Sequence, residues 1–426
     1  MSDMTERITD PAERDAELAW ELYEAQPTHP EIPRLAMRVL LAQPGRSGMR
    51  ILLARWHDAR GEVDEARKVL HDLVGLHDQQ FVNAVRELRD LEAHERNYDQ
   101  ALHWARLVLR REPDGWFDHM RLAVLVAMAD DLETGWDMMD EAVAMCARTA
   151  ADAMPGALTY RALHLLITFA PVPRFLEAAR PAFEADPGSE FLAHAMAYAY
   201  MHEYRFDDAE AHLLGMLRID PTDEVAPPLL NMIRTIMDSL DEHEVSVDLL
   251  REQGLMEFSW KSLRANESGT SLAHALAALD DVMPAELRAV LRPPAPAEIA
   301  AESGGDRDIA LWRDGQQPGT GALWGADEPF RLLSVAEIAE MDAAIEADPA
   351  AFPHWDAEES YFSQLLTDDA GAYLIEGPHG CLYRRGPEGD VELAPSASDW
   401  FWDRVVAFGG ADPRPVALRG QGAAGA

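Results

Sequence analysis

The sequence predicts a mostly α protein: a helical solenoid of repeated helix pairs, followed by a smaller α+β domain with an antiparallel meander. Three observations carry that prediction. Small residues and prolines recur at a fixed spacing through the first two thirds of the chain. A Pro/Gly-rich break follows over residues 292–306. Beyond it the apolar stretches shorten to a few residues between Gly/Pro turns, the signature of strands rather than helices.

The repeat comes first, because its period decides the fold. Ala101 precedes Pro113 by twelve residues, and Ala209 precedes Pro221 by the same distance. Ala66 and Gly135 fill the same small-residue slot, and counting back from Pro187 and Pro44 adds Phe175 and Ile32. The slots fall at 32, 66, 101, 135, 175 and 209, with steps of 34, 35, 34, 40 and 34. That is the period of a helix–turn–helix unit of roughly 34 residues. Within Tyr98–Leu109, apolar or small residues at 98, 101, 102, 105, 108 and 109 form one stripe of an amphipathic helix. A small residue in the slot lets two helices approach closely, and Pro113, Pro187 and Pro221 end the second helix of their units. Twelve residues before the slot, Ala54, Ala123 and Ala197 supply a second small residue.

These residues resemble the tetratricopeptide repeat (TPR) family across about residues 12–225. The pattern departs from the family where Arg89 and Trp20 take the earlier small position and where Phe175 and Ile32 take the slot. The 40-residue step predicts an insertion around Met154 to Pro171. Residues 226–291 keep helical periodicity, at Leu229–Leu240 and Leu272–Leu279, and are expected to cap the array.

Arg292-Pro293-Pro294-Ala295-Pro296 and Ser303-Gly304-Gly305-Asp306 mark a linker. After it, Ala372–Glu376, Cys381–Arg384 and Val391–Leu393 read as short strands separated by turns at Gly377–Gly380 and Gly386–Gly389. Ser334 and Glu337 have the spacing of a capping box, and Ser398-Asp399 is expected to cap a last helix carrying Trp400, Phe401, Val405 and Val406. Several pieces appear in the order of the SUKH superfamily, named for bacterial immunity proteins and a yeast cell-wall regulator. They are Ala310–Gln316, Phe330–Ser334 before a helix, the meander around Gly371–Leu393 and the closing Ser396–Phe408 helix. Residues 294–410 therefore resemble that family, which implies an α+β fold with a mixed or antiparallel sheet. It also implies protein binding, often the neutralisation of a toxin domain. Residues 411–426 are expected to be a disordered tail.

Composition narrows the function. With 76 acidic and 37 basic residues the net charge is −39, which opposes binding to nucleic acid or to an anionic membrane and favours a basic partner. Two cysteines, Cys146 and Cys381, exclude a disulfide framework and a zinc site of paired thiolates. The apolar run Leu122–Ala129 is too short to span a bilayer and the first residues are polar, so a cytoplasmic protein is expected.

Motifs for catalysis are broken or missing. Lys68 and Lys261 follow Arg67 and Trp260, not a glycine, which excludes a P-loop, and no Gly-x-Ser-x-Gly elbow occurs. His94-Glu95 and His202-Glu203 begin like a zincin helix, but Tyr98 and Phe206 stand where its second histidine belongs. His194 and His202 share one helix face; a metal site with Glu203 is the sharper alternative to a groove-lining pair. Cys381 reads as a small core residue, and Glu358-Glu359 and Asp368-Asp369 as solvated charge. No catalytic, cofactor or metal residue is assigned, and no cofactor is expected.

A surface for polypeptide remains. The repeat register puts Asn83, Arg86 and Asp90 of one unit, Phe117 and Met120 of the next, and His194, Tyr198 and His202 of the last on the stripe facing the groove. The alternative is that Phe117, Met120 and Tyr198 pack between helices. The TPR carboxylate clamp needs several Lys or Arg, more than Arg86 and Asn83 supply. The expected function is non-enzymatic binding of a protein or peptide, with a basic toxin domain as the partner under the immunity resemblance. A scaffold in assembly or signalling, with a purely structural C-terminal domain, is the alternative. A third possibility, an enzyme, rests only on scattered Asp and Glu, His379 and Cys381.

Overall fold

Each small-residue slot read from the spacing lies in a closed helix–helix contact. Ile32, Ala101, Phe175 and Ala209 are fully buried, Ala66 nearly so, and Gly135 is buried. The computed structural model describes residues 10–242, 246–253, 255–297, 299, 307–318, 320, 324, 330–348, 351, 364–368, 372–376, 381–386 and 389–418. They form a mostly α, TPR-like helical solenoid followed by a smaller α+β part with an antiparallel meander. The chain divides into two compact units, residues 1–157 and 158–426.

The first unit holds four helix pairs: α1 (Pro11–Ala25) with α2 (Glu31–Ala42), α3 (Gly48–Ala59) with α4 (Val63–Leu76), α5 (Phe81–His94) with α6 (Tyr98–Arg111), and α7 (Trp116–Ala129) with α8 (Leu132–Thr149). Each helix packs on the next in sequence. α5 shows why these segments are helical: Phe81, Ala84, Val85, Leu88 and Leu91 recur at three- and four-residue spacing and are all buried. Asp10 and Asp131 cap α1 and α8, their carboxylates accepting backbone N–H groups of the first turn. At Gly135, a Cβ would stand 2.5 Å from the backbone nitrogen of Ala127, so α7 and α8 meet at a distance only glycine permits.

Backbone hydrogen bonds carry the repeat as well. α3 and α5 end in left-handed residues, Gly61 (φ 74°) and Arg96 (φ 59°), each five positions before its slot. In both, the next N–H reaches back five residues, Glu62 to the His57 carbonyl and Asn97 to the Glu92 carbonyl, at 2.9 and 2.8 Å. These are Schellman closures, which satisfy helix-end carbonyls and aim the chain into the second helix.

α9 (Met154–Ile167) crosses the division between the units. The extra length behind the 40-residue step lies earlier than expected. α8 runs 18 residues where α4 and α6 run 14, and a 3-10 turn at Ala151–Ala153 follows it. In the second unit, α10 (Val172–Ala185), α11 (Glu190–His202), α12 (Phe206–Ile219) and α13 (Ala226–Asp241) pack in succession. α11 repeats the closure: Tyr204 has φ 57°, and the Arg205 N–H donates to the Tyr200 carbonyl at 2.9 Å. After α14 (Val247–Gln253), α15 (Leu255–Glu267) turns back onto α11.

The C-terminal part combines α16 (Leu272–Val282), α17 (Ala285–Arg288), α18 (Arg307–Trp312), β1 (Phe330–Leu332), α19 (Val335–Ala347), β2 (Gln364–Asp368), β3 (Tyr373–Glu376), β4 (Leu382–Gly386), β5 (Gly389–Ala394) and α20 (Ala397–Ala407). The strands form a five-stranded antiparallel meander in sequence order, two strands more than the turns alone indicate. The predicted turn at 377–380 lies outside the described residues. Ser334 and Glu337 form the predicted capping box on α19. The N-cap of α20 is Ser396, two residues before the expected Ser398, because the Ser396 hydroxyl accepts the Asp399 N–H.

Two expected boundaries shift. Leu276 and Leu279 of α16 share one core with Trp312, Leu332, Leu374, Trp400, Phe401 and Val405, so α16 belongs to the α+β core and not to a cap of the repeats. The Trp402 indole N–H donates to the Thr270 carbonyl at 2.9 Å across the same junction. Residues 411–418 are ordered: Arg414 is buried and ion-paired with Asp399, Asp403 and Asp412 at 3.2, 2.6 and 2.9 Å. One charged anchor fixes a segment whose composition reads as tail; residues 419–426 of that predicted tail lie outside the described residues.

Candidate partner-binding surface

The first helices of successive pairs, α3, α5 and α7, are joined by ion pairs. Arg55 on α3 grips Glu87 on α5 through two bonds of 2.5 and 3.0 Å. On α5, Arg89 reaches Asp118 of α7 at 2.7 Å, and Arg86 reaches the same carboxylate at 2.5 Å. Arg86 also pairs with Glu112 at 2.5 Å. Asp90 takes Arg121 of α7 at 2.6 Å and two bonds from Arg89 at 2.9 and 3.0 Å. Planar guanidinium forks fit these bidentate pairings, which a lysine cannot reproduce.

Burial sets the electrostatics of this array. For Asp118 burial alone would raise the carboxyl; the hydrogen bonds from Arg86 and Arg89 outweigh it and hold it below the usual carboxylate range. Asp90 behaves alike: burial opposes ionisation, and Arg89 and Arg121 more than compensate. The hydrogen bond to Asp118 keeps the Arg86 guanidinium above its ordinary value.

The structure brings Asn83, Arg86 and Asp90 to one charged array, and Phe117 adjoins it in sequence. Asn83 is exposed and donates to the Gln80 side chain at 2.8 Å. Arg86 holds Asp118, Asp90 holds Arg89, which reaches the same Asp118, and Phe117, 43% exposed, directly precedes Asp118. Met120 is the exception. It is fully buried and packs between helices, so it offers nothing to a partner.

The second-unit trio is more enclosed than expected. His194 Nε2 lies 2.8 Å from Asp223, whose other oxygen accepts the first N–H groups of α13 at 2.7 and 2.9 Å. His194 thus ties α11 to the start of α13. Tyr198 is half-buried on α11. His202 stands beside Glu203 at 3.3 Å and faces the Trp260 ring, centroids 6.2 Å apart, so the chain's own α15 covers that end of the stripe. Among the described residues no group of three His, Cys, Asp or Glu is placed to hold a metal ion, and no helix is long and apolar enough to cross a membrane.

Sequence reasoning missed Asp118, Glu87, Arg121 and Trp260. Arg89 did carry a signal: it breaks the small-residue pattern, and a long cation there requires a buried anion nearby. A hollow at the α3–α4 and α5–α6 turns was also missed. Glu62, Asp64, Glu65 and Glu95 line it, with Arg67 as its one cation.

No family model matches the sequence, and no curated protein does. Among solved structures, 42 chains share part of the arrangement. A monomeric IFIT1 mutant with Gppp-AAAA is 15% identical, with 61% of this chain and 62% of that one covered and a TM-score of 0.37. The Cut9–Hcn1 hetero-tetramer of APC/C is 15% identical, with 51% of each chain covered and a TM-score of 0.26. Naa15/Naa10 bound to HypK-THB is 13% identical, with 65% and 48% covered and a TM-score of 0.25. The chain thus spans from about half to three-fifths of the length of these structures.

Proposed function

We propose that the chain is a non-enzymatic protein-binding scaffold that takes a peptide segment of a partner along the α5–α7 stripe of its first unit. The proposal rests on one observation. An exposed aromatic, Phe117, directly precedes Asp118 on α7, the helix whose charged groups are already fixed by Arg86–Asp118 and Asp90–Arg121. A docking segment would meet an apolar anchor ringed by polar groups whose side-chain freedom is already spent, so little ordering cost remains. The covering of His202 by Trp260 supports the first unit over the second as the docking place.

A basic partner suits the net charge of −39 and the acidic hollow around Glu62 and Glu95. Electrostatic steering would chiefly speed association and exclude acidic competitors. A cytoplasmic partner is the natural choice for a chain of this composition. The SUKH-like order of elements, with α16 and α20 against a five-stranded meander, supports the finer reading as an immunity protein for a basic toxin domain.

Affinity capture from the protein's own cell extract at low and high salt tests this. A basic protein held at low salt and shed at high salt is expected, with an on-rate that falls as salt rises. Salt-indifferent capture would remove the charge component, and capture that survives loss of Phe117 would remove the stripe.

A further inference from the structure

On α15 of the second unit, two buried donors are left unanswered among the described residues. The Trp260 indole Nε1 and the Arg264 Nη2 are both buried and, among the described residues, have no hydrogen-bond partner. They stand four residues apart on α15, hence on one face of that helix. Trp260 is 1% exposed and Arg264 is 8% exposed. The Arg264 guanidinium is stacked 4.7 Å from the Phe169 ring and 5.7 Å from the Trp260 ring, and its Nε donates to the Leu166 carbonyl at the end of α9 at 3.3 Å. Those contacts orient the group without neutralising it.

A guanidinium buried without a carboxylate is unexpected in a chain with 76 acidic residues. Every other buried arginine among the described residues has one: Arg89 has Asp118, Arg385 has Asp390, and Arg414 has three. Burial alone pulls the Arg264 guanidinium down to about 9, with no charged neighbour opposing it. A buried donor left without an acceptor keeps its full desolvation penalty, the more so when charged, so two on one helix face call for a shared acceptor.

We propose that Trp260 Nε1 and Arg264 Nη2 form a binding site for one small inorganic anion of halide size, seated beside Phe169 where α15 packs on α11. An acceptor with no substituents satisfies both N–H groups and returns the missing negative charge. The bound ion holds α15 in place and thereby keeps Trp260 over His202. This assignment does not depend on the proposed partner.

The full-length protein tests it in two ways. Crystals grown in chloride and transferred to bromide are expected to show an anomalous peak within hydrogen-bonding reach of both nitrogens. In thermal unfolding at matched ionic strength, replacing methanesulfonate by chloride is expected to raise the midpoint of the second unit saturably, by about 3 °C at ten times Kd. Trp260→Phe, which keeps the ring and loses the N–H, is expected to weaken that shift, and Arg264→Met to abolish it. A water without anomalous signal, or an equal chloride shift in Arg264→Met, would overturn the proposal. Neither the bromide peak nor the wild-type salt series depends on a variant that folds.

Discussion

Arg89 Nη1 lies 2.7 Å from Asp118 Oδ1, and both side chains are almost wholly buried. In two neighbouring units the position of Arg89 belongs to alanine, Ala54 and Ala123. The long cation fits because α7 supplies its anion. Burying such a pair is expensive, and its net worth against an apolar pair of equal volume is small. What it adds is register, since α5 and α7 satisfy their charges only in this alignment.

Removing one partner is therefore expected to cost more than removing both. Arg89→Met or Asp118→Leu alone should destabilise the first unit by about 1–3 kcal/mol, because each leaves a buried charge one partner short, Asp118 with Arg86 alone or Arg89 with Asp90 alone. The double variant should recover much of that loss. Urea unfolding of the four proteins checks this; additive losses would mean that the pair is not coupled.

The same carboxylates set a pH dependence. Asp118, Asp90 and Glu92 all titrate below their ordinary values in the folded chain. A depressed folded value means that their stabilisation is complete above the unfolded carboxylate range of about pH 4. It is lost as pH falls through the lower folded values. The unfolding midpoint of the first unit should hold from neutral pH to about pH 5 and drop below about pH 4. Asp118→Asn, already weakened at neutral pH, should show a shallower acid slope.

Gly135→Ala should force α7 and α8 apart, since the new Cβ would stand 2.5 Å from the Ala127 backbone. Loss of about 1–3 kcal/mol is expected from the overpacking. Gly75→Ala in α4 meets nothing within 4 Å and should gain about 0.5–1 kcal/mol. Equal effects at both sites would contradict the close approach.

Arg96 holds a left-handed conformation where the equivalent residue of the preceding pair is Gly61. Arg96→Gly should stabilise the first unit by about 1 kcal/mol, and Gly61→Ala should cost a similar amount. Chemical unfolding at neutral pH measures both.

The repeat was legible because helix pairing writes itself locally. A small residue at the slot and a proline after the second helix are each demanded by contacts within one unit. Ala101 and Pro113, or Ala209 and Pro221, therefore reveal the period without any knowledge of the rest. The ion-paired array was not legible, since Arg89 meets a partner 29 residues away that no local pattern names. Helical periodicity exposed the apolar face of Leu272–Leu279 but not what it packs on, which is why α16 reads as a cap of the repeats. The strands β1 and β2 are three and five residues long and carry no turn signal between them, so they escaped notice. Within the candidate surface, spacing put Asn83, Arg86 and Asp90 on one face of α5, where Arg86 contacts Asn83 and Asp118. It could not separate Met120, which shares their stripe in register but is fully buried.

The most direct test of the scaffold proposal is the affinity of a captured partner for Phe117→Ala beside the wild-type chain. Leu41→Ala, which alters a 78% exposed leucine on α2, serves as the control. A loss of about tenfold or more in Phe117→Ala, with Leu41→Ala unchanged, is the expected result for an aromatic anchor. Equal affinity of Phe117→Ala and wild type would contradict docking along the α5–α7 stripe.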